Sequence, residues 1–163
     1  MRYGFSSEAF FITIAAPFLA ALMVIDLRHM ILPNQLVVIL AGIGLARLAW
    51  QVFFMHDAPD FAVLIQSMLD VLIYAGIAWL LGFIMQKILK KEALGFGDVK
   101  FFALTGLWVG TASLGWFCLL SGVIGLFFAA WWKRWKGSDL FPFGPALILS
   151  FYILIISKSS FFF

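Results

Sequence analysis

Two aspartates stand apart from the other acids of this chain. Asp26 closes the first long apolar run and opens the segment Asp26-Leu27-Arg28-His29-Met30-Ile31-Leu32-Pro33-Asn34. Asp98 closes Gly95-Phe96-Gly97-Asp98 and is followed by Val99-Lys100. Two carboxylates brought close cannot both ionise easily, so they share a proton and titrate as a pair. The ionised member can take a proton from water while the protonated member hydrogen-bonds a carbonyl, which is the chemistry of peptide hydrolysis. The two glycines beside Asp98 allow close approach of an extended peptide. The start of a helix at Asp98 places free N–H groups beside its carboxylate. An aspartate at a helix end also serves as a cap or a solvated loop residue, and spacing alone leaves both readings open.

The elements that would position these acids are transmembrane. Of 163 residues, 64% are hydrophobic and 12% charged, more apolar surface than a soluble core of this size could hide. A span needs about 20 apolar residues. The runs place helices over 7–25, 35–55, 61–86, 98–110, 113–132 and 142–157, in a single domain over 1–163. The first is read as a retained helix, since no small-x-small cleavage site precedes its terminal charge. Pro33-Asn34 and Asp57-Ala58-Pro59-Asp60 make the first two turns. The fold expected is an all-α membrane protein, a bundle of about six transmembrane helices.

Charge orients it. Eight of the 11 basic residues (Arg28, Lys87, Lys90, Lys91, Lys100, Lys133, Arg134 and Lys136) fall in three loops on one side. The loops 56–60 and 110–113 hold no Lys or Arg. The basic side is cytoplasmic by the positive-inside rule, which leaves both termini outward and sets Asp26 and Asp98 at the cytoplasmic face. The same clustering explains the net charge of +3 without nucleic acid as a partner. Trp131, Trp132 and Trp135 beside Lys133 and Arg134 read as an interface belt. The single cysteine, Cys118, reads as a small buried apolar residue, and His29 and His56 are lone histidines. No metal set results, and no cofactor is expected.

Four polar residues lie inside the apolar runs. Arg47 and Gln51 on the second helix and Gln66 and Asp70 on the third come level if the chain folds back at 57–60. An intramembrane charge is expensive alone, so an Arg47–Asp70 ion pair is expected, structural or else part of a functional polar site. The functional version would make the chain a small transporter or proton channel.

The two aspartate segments together resemble the type IV prepilin peptidase family, membrane aspartyl proteases of the Gly-x-Gly-Asp class. The resemblance rests on Asp26 with Pro33-Asn34, on Gly95, Gly97, Asp98 and Lys100, and on Phe141-Pro142-Phe143-Gly144-Pro145 before the last helix. It implies a catalytic pair of Asp26 and Asp98 that cleaves the short basic leader of a prepilin-like membrane protein in a bacterial inner membrane. Lys100 would tune the pair or contact lipid phosphates. The basic loops would hold anionic lipid rather than a basic leader, which leaves Glu92 and Asp139 to meet it. Long members add a cytoplasmic domain with paired cysteines that binds zinc, and they methylate the new N-terminus. With one cysteine, this chain resembles the short form, closer to the peptidases of tight-adherence (Flp-type) pili or of archaeal pre-flagellins, and N-methylation is not expected.

Overall fold

The structure is a computed structural model that describes residues 2–54, 60–89, 95–137 and 141–160. Six α-helices follow in order, with no strand among the described residues. They are α1 (Arg2–His29), α2 (Asn34–Phe54), α3 (Phe61–Leu89), α4 (Phe96–Val109), α5 (Leu114–Lys136) and α6 (Gly144–Ser160). One 3-10 turn, Thr111–Ser113, joins α4 to α5. Four of the six are long and apolar enough to cross a membrane, within Ser7–His29, Asn34–Phe54, Phe61–Ile88 and Thr111–Lys136. The expected turn residues His56 to Pro59, the loop residues Lys90, Lys91 and Glu92, and Asp139 lie outside the described residues.

The helix ends have local causes. Pro33 has no amide hydrogen to donate, and α2 starts at the residue after it. Asp60 accepts a hydrogen bond from the Ala62 amide at 3.0 Å and so caps α3. Gly110 ends α4 with φ 79, and Gly137 ends α5 with φ 65, backbone settings open to glycine at little expense.

The centre of the bundle is α4. All eight residues from Phe101 to Val109 except Ala103 are buried, so this helix is apolar around its whole circumference. It packs on α3, α2 and α6, while α1 joins α2 to α6 and α5 leans on α6. Aromatic rings fill the seams. Phe151 of α6 meets Phe101 and Trp108 edge-on, and Phe117 of α5 lies between Phe102 and Tyr74. Helices that meet in lipid gain mainly from close packing, and small residues permit it. Gly106 lies so near α3 that a Cβ there would stand 2.6 Å from the Asp70 carbonyl oxygen. Gly44 of α2 gives the same room to the Trp108 ring.

This centre overturns one expectation. Helices α2 and α3 do not form a tight hairpin, because α4 packs against both. Trp131 and Trp135 are exposed as an interface belt requires, but Trp132 is only 4% exposed and turns into the protein beneath Lys136. Cys118 is partly buried against the core.

Gly106→Ala should lower thermal stability in detergent by about 1–3 kcal/mol, since the atom it would strike belongs to backbone. Gly122→Ala, where nothing lies within 4 Å, should stay within about 0.5 kcal/mol of the parent. Equal melting curves for the two variants would contradict the close α3–α4 contact.

Candidate active site

Asp26 lies in the last turn of α1 and is 4% exposed. Its Oδ2 accepts a hydrogen bond of 2.9 Å from the backbone amide of Gly144, the first residue of α6. The unpaired amides and the positive dipole end of α6 therefore support the carboxylate. The approach is so close that a Cβ at position 144 would stand 2.5 Å from that oxygen. This contact accounts for the glycine in Phe141-Pro142-Phe143-Gly144-Pro145. The flanking residues hold it in place: Pro142 and Pro145 are fully buried, and Phe143 fills the space left by Gly125 of α5.

Asp98 is the third residue of α4. Its Oδ2 turns back to accept from the Gly95 amide at 3.1 Å, while the Asp98 amide donates to the Gly95 carbonyl at 3.0 Å. The side chain thus closes its own helix N-terminus. Gly97 faces Leu32, where a Cβ would come within 3.0 Å of the Leu32 Cβ. Its bareness seats α4 against the segment that follows Asp26.

Lys100 has partners within the fold. Its ammonium donates to the Asn34 side-chain oxygen at 2.7 Å and lies 4.8 Å from the centre of the Phe96 ring. It therefore bolts α4 to the residue after Pro33, at the start of α2. Asp26, Pro33, Asn34, Gly95, Gly97, Asp98, Lys100, Pro142, Gly144 and Pro145 all fall at one end of the bundle. The ends of α1, α3 and α5 that carry Arg28, Lys87, Lys133, Arg134 and Lys136 belong to that same end.

The intramembrane pair is a correction. Arg47 does not bond Asp70; its Nε donates to Glu8 at 2.7 Å and its Nη1 to the Trp108 carbonyl at 3.3 Å. Gln51 donates to the other Glu8 oxygen at 2.8 Å. Asp70 accepts from Gln66 at 3.0 Å, from the Thr111 amide at 3.2 Å and from the Thr111 hydroxyl. With α4 against both α2 and α3, each charge finds its partner elsewhere. Sequence reasoning missed Glu8, Tyr74 and Lys158 in this region. A signal for Glu8 existed: folding the first hairpin at 30–33 brings Glu8 within about one turn of Gln51. Arg47, Gln51, Gln66, Asp70 and Lys158 line a cavity of about 420 Å³. No cluster of His, Cys, Asp or Glu able to hold a metal occurs among the described residues.

Comparison with known sequences decides the family. The profile of the type IV leader peptidase family matches residues 13–130, which include both aspartates. The chain belongs to that family. A protein of Escherichia coli O78:H11 named type 4 prepilin-like proteins leader peptide-processing enzyme is 35% identical over 146 residues, covering 88% of this chain and 50% of that protein. The prepilin leader peptidase/N-methyltransferase of Neisseria gonorrhoeae is 30% identical, covering 98% of this chain and 52% of the relative. That of Xanthomonas campestris is 29% identical over 94% of this chain and 52% of the relative. The chain spans about half the length of the curated relatives it matches. No solved structure matches. Family membership and four apolar helices together make the chain a multi-pass membrane protein.

If Lys100 and Asn34 form one link between α4 and α2, their substitutions should not add. Lys100→Met and Asn34→Ala are each expected to lower stability by about 0.5–1.5 kcal/mol, and the double variant by little more than either one. Additive losses in a double-mutant cycle would show that the two side chains act separately.

Proposed function

We propose that this leader peptidase family member is an aspartic endopeptidase that cleaves the leader of a prepilin-like membrane protein, with Asp26 and Asp98 as the catalytic pair. The observation that carries the reading is the shared placement of the two carboxylates at one end of the bundle, each held by a backbone amide through its Oδ2. One oxygen of each is thereby fixed, and the other is left for chemistry.

The reaction follows from two carboxyl groups with one proton between them. The ionised carboxylate removes a proton from water as the water oxygen bonds to the scissile carbonyl carbon. The protonated carboxyl gives its proton to the carbonyl oxygen, and a neutral tetrahedral diol results. The diol collapses as the C–N bond breaks. One hydroxyl proton returns to a carboxylate, and the other carboxyl protonates the departing nitrogen, so the pair ends with the single proton it began with. Neither aspartate needs a fixed assignment, because such a pair titrates as a unit.

The basic residues of this end give it the cytoplasmic face, by the positive-inside rule. A prepilin's apolar helix would lie in the bilayer beside the bundle, with its scissile bond at the membrane surface where water is available. Type IV prepilin-like precursors, tight-adherence (Flp-type) or related, are the proposed substrates. The transport reading has less support: Arg47 and Asp70 are occupied by different partners.

Co-expression with a prepilin-like substrate, followed by the gel shift of leader loss, tests the pair. Asp26→Asn and Asp98→Asn should each slow cleavage at least about 100-fold. Asp60→Asn, which keeps its capping oxygen for α3, should cleave at the parental rate. Full cleavage by either of the first two variants would rule out the proposed dyad.

A further inference from the structure

The helix that carries Asp98 ends in an unusual way. It has 14 residues and rises about 21 Å, short of a hydrocarbon core of about 30 Å. The last carbonyls of a helix have no partner within it, and lipid offers none. Here three successive carbonyls each receive a donor from a different helix. The Trp108 carbonyl accepts from Arg47 of α2 at 3.3 Å, and the Val109 carbonyl from the Lys158 ammonium of α6 at 3.1 Å. The carbonyl of Gly110, the residue just past α4, accepts from the Tyr74 hydroxyl of α3 at 3.1 Å as well as from the Ser113 amide at 3.2 Å.

The surrounding charges fit this role. Two cations at the negative end of the α4 dipole are favourable. Glu8 offsets Arg47, and Asp70 takes the Thr111 amide where the chain turns away. Of the polar groups around the cavity, Arg47 and Lys158 thus engage the end of α4 and Asp70 the turn that follows it. Asp98 is ten residues from Trp108 on the same helix, about 15 Å away. A packed helix moves as a rod, so an axial shift at one end appears at the other.

We propose that Arg47, Tyr74 and Lys158 are positioning residues: by holding the C-terminal carbonyls of α4 they set where Asp98 stands relative to Asp26. The proposal rests on the peptidase reading for its consequence in catalysis, but the placement of α4 can be read without it. In a Cys118→Ser background, spin labels at Arg28→Cys and Phe96→Cys, both exposed positions, report the distance between the end of α1 and the start of α4.

The experiment adds Arg47→Met to this reporter in native membranes, and separately measures kcat and KM of Arg47→Met for leader cleavage per folded molecule. The label-to-label distance should shift by at least about 2 Å, and kcat should fall about tenfold or more with KM within about twofold, as for a misplaced reacting group. Arg47→Lys, which keeps a cationic donor, should recover most of both. Tyr74→Phe and Lys158→Met, each removing one donor, give the same two readings if Arg47→Met fails to fold. A parental label-to-label distance and parental kcat per folded molecule in these variants would overturn the proposal, even if stability falls. A parent chain whose label distance responds to Arg47→Met yet which cleaves no leader would instead count against the peptidase reading alone.

Discussion

Lipid offers no hydrogen bonds, so every backbone group of the central helix must find its partner in protein. Most of the architecture answers that demand. At its N-terminal end, α4 is closed by its own Asp98 and Gly95. At its C-terminal end the same demand is met by α2, α3 and α6 together. Donors can reach those carbonyls only if the neighbouring helices come close, and Gly44 and Gly106 allow that closeness at two of the seams. Packing and polar satisfaction are therefore one problem in this fold.

The opposite end of the bundle follows a different rule. There backbone amides rather than side chains hold the two carboxylates. Asp26 is placed by an amide of α6 and Asp98 by an amide of its own loop. The Lys100–Asn34 bond and the Gly97–Leu32 contact then tie α4 to the segment between α1 and α2. A carboxylate held by one amide keeps an oxygen available, as hydrolysis requires.

The span boundaries were legible because a long apolar run in a chain this poor in charge has few alternatives to a helix. All six expected segments correspond to helices, with the first, third, fifth and sixth running three to five residues further than expected at one or both ends. The motif segments were legible because their glycines and prolines have steric reasons to be where they are, of which Gly144 against Asp26 is the clearest. The partner of Arg47 was not legible from the second and third helices alone. Register arithmetic assumes that sequential helices touch, and a fully apolar α4 could take its place against both without any mark in the local sequence of α2 or α3. Trp132 misled for a related reason: neighbours along a helix point in different directions, so three tryptophans within five positions cannot all face the headgroups.

The clip formed by Glu8, Arg47 and Gln51 also bears on how the chain enters the bilayer. A lone arginine within α2 would oppose its insertion by about 2.5–3.5 kcal/mol on translocon scales. Its counter-charge sits on α1, which leaves the ribosome earlier. The two helices therefore enter lipid most favourably as a preformed pair, the acid waiting for the base. Biogenesis of this protein would then proceed by hairpins rather than by single spans, with the first ion pair made before the end that carries Asp26 and Asp98 is assembled.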